Sequence, residues 1–183
     1  LGLNPEILTI LSVGGSLGSR TINNGWKDNL DNLKKTGYQL IWQTGKTDFN
    51  EISDNQQLTT DNRITVKEFI SDMALHYSAA DVIVSRAGAI AISELAIAKK
   101  PIILVPLPTA AEDHQTRNAL NLVKENAAKM VKDSEMKDKF WPTLMEICKN
   151  ENLRKTMSEN LKDLAKPNAT EEIVTEIFKI INN

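Results

Sequence analysis

Apolar and polar positions along this chain fall into blocks that read as strand, turn and helix in repeated succession. Ile7 to Val13 is an apolar, β-branched run that stops at Gly14 and Gly15, the pattern of a buried strand entering a tight turn. A helix is predicted after it, from about Leu17 to Leu33. Tyr38 to Gln43 and Ile64 to Phe69 read as short strands, and the polar stretch between them, Asp48 to Asn62, predicts loop or irregular helix. The unit then recurs. Strand is predicted over Asp81 to Ser85, an almost wholly apolar helix over Ala89 to Ala98, and strand again over Pro101 to Val105. A helix over Glu112 to Asn126 and a last short strand over Ala128 to Val131 follow, and the remainder reads as helix. Near its end Asn168 and Glu171 have capping-box spacing after Pro167, and Ile173, Ile177 and Ile181, flanked by Val174 and Phe178, make one apolar helical face.

Strands alternating with helices over the whole length predict an α/β fold, a doubly wound, Rossmann-like parallel sheet with ligands collecting at the carboxyl ends of its strands. A chain of 183 residues with 41% hydrophobic content buries one substantial core, and no composition break divides it, so a single domain over residues 1–183 is expected. The 22 basic and 24 acidic residues nearly cancel, to a formal charge of -2. That balance carries no electrostatic footprint for nucleic acid and no polybasic membrane patch. The single Cys148 excludes an internal disulfide, agrees with a reducing cytosol, and reads as inert packing in the apolar helical stretch Trp141 to Cys148. No apolar run approaches the roughly 20 residues that span a bilayer, and the first residues lack a signal pattern, so a soluble, cytoplasmic chain is expected. Opening at Leu1 rather than Met suggests a processed chain or an excised piece.

Three loops carry candidate chemistry. Gly14-Gly15-Ser16-Leu17-Gly18-Ser19 lies where a strand hands over to a helix. Glycines there let backbone N–H groups approach a phosphate at the helix N-terminus, or serve only to reverse the chain. The glycines are out of phase with G-x-G-x-x-G and the second strand ends at Gln43, so a nicotinamide cofactor is not expected. Gly45-Lys46-Thr47 mimics the end of a P-loop, but the position of that motif's first glycine is Leu40. The second loop is Ser85-Arg86-Ala87-Gly88-Ala89, followed by the helix containing Ser93 and Glu94. A carboxylate within about two turns of a helix N-terminus suits a ribose diol, with an ordinary solvated acid as the alternative. Arg86 is open to a structural ion pair. The third runs from Pro106 to Gln115, where His114 and Gln115 offer donors and acceptors for sugar hydroxyls, or are simply solvated. His76 receives no role. In a doubly wound sheet these loops gather at one crevice, and a glycine cradle, a diol-reading carboxylate and an amide and imidazole pair together suggest a nucleotide sugar.

At these residues the chain resembles the MurG family, the glycosyltransferases that add N-acetylglucosamine to the undecaprenyl-linked muramyl-peptide precursor of peptidoglycan. The resemblance rests on Gly14-Gly15-Ser16, on Glu68-Phe69-Ile70-Ser71-Asp72-Met73, on Arg86-Ala87-Gly88-Ala89 with Ser93-Glu94, and on His114-Gln115-Thr116-Arg117-Asn118-Ala119. It runs from Ile7 to about Phe178 and corresponds to the C-terminal, donor-binding half of a two-domain GT-B architecture.

What the resemblance implies is specific. UDP-N-acetylglucosamine is the donor; Ser16 with the adjacent amides of Gly15 and Leu17 holds its diphosphate, and Ile70 meets uracil through its backbone with Met73 nearby. The segment Arg86, Gly88, Ala89 and Ile90 lies against the nucleotide, Glu94 takes the ribose hydroxyls, and His114 with Gln115 contacts the sugar. Leu17 and Ser19 replace the Gln and Ala frequent in the family, which removes side-chain help from that loop but not its amides. No cofactor or metal is implied. The acceptor, a lipid-linked muramyl-pentapeptide, belongs to an N-terminal domain with no counterpart here, which also holds the general base for an inverting transfer. The isolated chain is therefore expected to be inactive and to expose apolar surface where that domain would lie. The whole enzyme is implied to sit peripherally on the cytoplasmic face of the inner membrane. Competing readings are a stand-alone donor subunit of a two-chain transferase, half of a UDP-N-acetylglucosamine 2-epimerase, and a nucleotide-sugar sensor.

Overall fold

The predicted strands assemble into one parallel sheet. The computed structural model describes residues 1–55, 58 and 61–181. Its strands are β1 (Thr9–Val13), β2 (Gln39–Gln43), β3 (Ile64–Lys67), β4 (Val82–Ser85), β5 (Ile102–Leu104) and β6 (Lys129–Met130). They lie in the order β3-β2-β1-β4-β5-β6, every neighbouring pair parallel. Strand order reverses between β1 and β4, and a doubly wound sheet opens its crevice beyond the carboxyl ends of the strands at that point.

Period-two alternation of the strands splits the core into two layers. Ile10, Leu40, Trp42, Val82, Val84 and Ile103 face one cluster, Leu11, Ile41, Ile83, Ile102 and Leu104 the other. Helices α1 (Arg20–Lys27), α2 (Leu30–Thr36) and α7 (Met136–Lys149) cover the first face through Ile22, Trp26, Leu33, Phe140 and Leu144. The second face is covered by α4 (Met73–Ala79), α5 (Ala89–Ala98) and α6 (His114–Lys124), with Leu161 of α8 (Glu151–Leu164) joining them. Trp26 packs edge-on to Phe140 at 5.1 Å between ring centroids, and its indole N–H donates to the buried Ser12 hydroxyl at 2.8 Å.

Several boundaries move for identifiable reasons. The first helix begins at Arg20, because Gly18 has a left-handed φ of 84° and cannot continue a right-handed turn. It also stops at Lys27 instead of running to Leu33: Asn29 turns its side-chain amide back onto the Gly25 carbonyl at 2.9 Å, and α2 starts anew at Leu30. The helix expected from Glu112 starts at His114, behind a 3-10 turn over Ala111–Asp113 in which Glu112 and Asp113 have positive φ. The polar stretch after β2 includes the short helix α3 (Phe49–Ser53); positions 56, 57, 59 and 60 of that stretch, and 182 and 183 at the end, lie outside the described residues.

Cys148 is buried in α7, and burial pushes its thiol up to about 12, so it is protonated and inert at neutral pH. The last helix, α9 (Ala169–Ile181), follows Asn168 directly, although the Asn168 side chain makes no capping bond among the described residues. None of its residues is buried. Ile173, Val174, Ile177, Phe178 and Ile181 form the predicted apolar face, and that face is open to solvent. Among the described residues no helix is long and apolar enough to cross a membrane.

Candidate functional site

The loops after β1, β3, β4 and β5 converge on a crevice of about 440 Å³ at the reversal of strand order. Of the positions singled out in the sequence, Gly15, Ser16, Ile70, Met73, Arg86, Gly88, Ile90, Glu94 and Gln115 line it. Leu17, Ala89 and His114 do not; Leu17 is exposed beside it, and Ala89 and His114 are the exposed first residues of α5 and α6.

Backbone shape makes the first loop. Gly15 and Gly18 both have positive φ, and the Gly18 N–H donates to the Gly15 carbonyl at 3.0 Å, closing a turn that presents Ser16. Gly18 also lies directly against the Thr44–Gly45 turn, so close that a Cβ on Gly18 would stand 2.0 Å from the Thr44 carbonyl oxygen. The glycine of the P-loop mimic thus has a packing role: Gly45, itself left-handed, is the other half of this backbone contact. Buried Asn23 anchors the arrangement from below, donating to the Thr44 carbonyl at 2.9 Å and to Asp48 at 2.7 Å while accepting from the Trp42 indole at 2.9 Å. Ser19 caps α1 by accepting from the Ile22 amide.

Gln43, the last residue of β2, is the hinge between this loop and the next. Its amide nitrogen donates to the Gly15 carbonyl at 2.9 Å, and its amide oxygen accepts from the Ile70 N–H at 2.8 Å. The Ile70 backbone N–H is therefore already committed to Gln43. Asp72 ends this loop by capping α4 through the Leu75 amide.

The loop after β4 is held to the loop after β5 by α6. Gln115 accepts with one oxygen from both the Ala87 amide, at 3.2 Å, and the Leu107 amide, at 2.9 Å, and Asn118 donates to the Ala87 carbonyl at 3.1 Å. The Gln115 side-chain nitrogen donates to no protein group among the described residues. Gly88 precedes α5 with open space where a Cβ would sit, and the first turn of this ten-residue helix, without a side-chain cap, borders the crevice through Gly88, Ile90 and Ala91. Arg86 makes the ion pair that was one of its two readings, donating to Asp133 at 2.6 Å and to the carbonyls of Val105 and Pro106 at 3.1 Å each. Asp133 in turn accepts from Thr21 at 2.7 Å. Arg86→Met is expected to destabilise the fold by about 2 kcal/mol, since Asp133 keeps only Thr21 and two carbonyls lose a charged donor. Urea denaturation measures it, and an unchanged midpoint would contradict this role.

Glu94 projects from the second turn of α5, and its Oε2 accepts from the Tyr77 hydroxyl at 3.1 Å. Burial first, then the Glu94 carboxylate, raises the Tyr77 phenol well above its ordinary value, so it remains a donor throughout the physiological range. Among the described residues no three His, Cys, Asp or Glu side chains gather where they would hold a metal ion.

Sequence reasoning missed Gln43, Phe69, Tyr77 and Leu107, all of which line the crevice. Two left a signal. Gln43 is a polar residue ending an otherwise apolar buried strand, and Tyr77 lies one helical turn beyond Met73. Phe69 lies within the motif Glu68 to Met73 and Leu107 within the loop Pro106 to Gln115, but neither was given a role of its own.

Residues 9–173 match the model of the glycosyltransferase family 28 C-terminal domain. A curated relative from Cytophaga hutchinsonii, a UDP-N-acetylglucosamine–N-acetylmuramyl-(pentapeptide) pyrophosphoryl-undecaprenol N-acetylglucosamine transferase, is 48% identical over 181 residues, 99% of this chain and 48% of its own. The protein of the same name from Phocaeicola vulgatus is also 48% identical, over 98% of this chain and 48% of its own. The chain spans about half the length of these curated relatives. Among solved structures, MurG of Acinetobacter baumannii superposes with a TM-score of 0.81 at 35% identity, covering 94% of this chain and 50% of that one. By the family match, which takes in most of its length, the chain belongs to the glycosyltransferase family 28 C-terminal domain family.

Proposed function

We propose that the crevice binds UDP-N-acetylglucosamine as the donor side of an inverting N-acetylglucosaminyl transfer in peptidoglycan synthesis. The observation that carries this is the meeting, at the reversal of strand order, of a left-handed glycine loop, the N-terminus of α5 and the Glu94 carboxylate in one crevice. These are the partners a diphosphate and a ribose diol need. The names of the curated relatives support both the donor and the lipid-linked acceptor.

In this reading Ser16 and the amides around it hold the diphosphate, assisted by the α5 dipole. The Ile70 carbonyl accepts from the imide N–H of uracil, its own amide being committed to Gln43. Glu94 accepts from the ribose hydroxyls. The free amide of Gln115, with His114 at the rim, meets the N-acetylglucosamine. Transfer proceeds by attack of the muramyl 4-hydroxyl on the anomeric carbon from the face opposite UDP; the carbon–oxygen bond to the diphosphate breaks, and UDP leaves with the bonding electrons. The general base that takes the hydroxyl proton belongs to an acceptor-binding half, beyond residues 1–183, which also brings the enzyme to the cytoplasmic membrane face. The exposed apolar face of α9 is in keeping with such a half.

Calorimetric titration of the full-length protein with UDP-N-acetylglucosamine, UDP-glucose and UDP tests the proposal. Uridine-dependent binding with preference for the N-acetyl sugar is expected. A folded full-length protein that binds none of the three would refute the donor assignment, and one that scrambles the C2 configuration without acceptor would be an epimerase instead.

A further inference from the structure

We infer that Tyr77 is a positioning residue that fixes Glu94 to read an intact ribose cis-diol, so that the pair selects ribonucleoside over deoxyribonucleoside diphosphates. The inference rests on the proposed donor site and adds to it a residue outside the nucleotide contacts considered above.

Glu94 borders two clefts. One is the crevice already described; the other, of about 470 Å³, lies between α4 and α5 against Ala74, Ser78, Ile97 and Ala98. An exposed glutamate with that choice spreads over several rotamers, and ordering such a side chain on binding costs conformational entropy. Tyr77 borders both clefts as well, yet its ring is packed against the buried layer of Leu11, Ile83 and Leu95, so its hydroxyl sits at a defined point. From there it donates to Glu94 Oε2 at 3.1 Å. One carboxylate oxygen is thereby tethered while the other is left free, and Oε2 itself retains a lone pair. Two oxygens at fixed separation, each able to accept once more, match the two O–H donors of a cis-diol. A 2′- or 3′-deoxy sugar supplies only one donor.

The tether also explains why a tyrosine, and not merely an apolar ring, stands here. A phenylalanine would fill the same space beside Met73 but leave the carboxylate to sample both clefts.

The test is calorimetry on the full-length protein with UDP and with 2′,3′-dideoxyuridine diphosphate, using wild type, Tyr77→Phe, Glu94→Ala and the double variant, with thermal midpoints recorded for each. Tyr77→Phe should weaken UDP about fivefold, part of the effect of a hydrogen bond to a charged group, and change the dideoxy ligand less than about twofold. In the Glu94→Ala background the same substitution should leave UDP affinity unchanged. Equal losses for both ligands would mean that the hydroxyl serves packing alone, and no loss for either would mean that the tether is irrelevant; each overturns the inference while wild type still distinguishes the two ligands. If wild type binds both equally and Glu94→Ala changes nothing, the ribose reading of Glu94 itself fails and this inference falls with it.

Discussion

Gly18→Ala should destabilise the protein by about 2–5 kcal/mol, the largest effect of any single methyl group considered in the site loops. Two costs add. The residue has φ of 84°, a left-handed conformation that costs an L-residue roughly 1–2 kcal/mol. Its new Cβ would also stand 2.0 Å from the Thr44 carbonyl oxygen and 2.9 Å from the Thr44 carbonyl carbon. Those are backbone atoms, held in place by Asn23, so no side-chain rotation relieves the clash, and overpacking of this kind adds about 1–3 kcal/mol. Gly15→Ala is the matched control: φ is 89°, but nothing lies within 4 Å of its Cβ, so only the backbone cost of about 1–2 kcal/mol applies. Urea denaturation of the two variants beside wild type measures the difference. Equal stability of the two would show that the contact between the Gly18 and Gly45 loops is not tight in solution.

Glu94→Ala should leave stability within about 0.5 kcal/mol of wild type, because the side chain is exposed and, among the described residues, bonded only to Tyr77. Affinity for UDP should instead fall by about 1.5–3 kcal/mol, the range for hydrogen bonds to a charged group, or roughly 10- to 150-fold. Glu94→Gln separates charge from shape: it retains one acceptor and should recover part of the loss. Calorimetric titration with UDP decides the matter. A Glu94→Ala variant that binds UDP as wild type does would remove the carboxylate from the nucleotide site.

Much of the architecture is legible in the chain because it is written in local period. Runs such as Thr9–Val13 and Val82–Ser85 are flanked by turn residues, and their apolar side chains supply both faces of a parallel sheet, so strand identity follows from a few adjacent residues. Ala89–Ala98 was legible to its ends, since a glycine precedes it and Lys99 terminates it in a left-handed conformation before Pro101. The site loops were legible for the same reason: a glycine pair after a buried strand marks a turn wherever the rest of the chain goes.

Where the reading departed from the structure, the deciding contact was with a specific neighbour. The break between α1 and α2 depends on the Asn29 side chain choosing the Gly25 carbonyl, one of several partners open to an asparagine. The apolar face of α9 has the period of a core helix but finds nothing to pack against among the described residues, which periodicity by itself does not reveal.

By itself, then, the sequence determined the α/β class, the parallel sheet and which loops are rich in glycine or polar groups, because burial period and backbone freedom are properties of neighbouring residues. Only the tertiary structure decided how those loops are joined. Gln43 bridges Gly15 and Ile70, 28 and 27 residues away; Gln115 ties Ala87 to Leu107; Arg86 spends its charge on Asp133, 47 residues on; and Tyr77 holds Glu94 from another helix. Each of those hydrogen bonds depends on distances and angles that only the packing of the sheet and its helices brings about, and a polar side chain in a sequence carries no record of which distant partner it will meet.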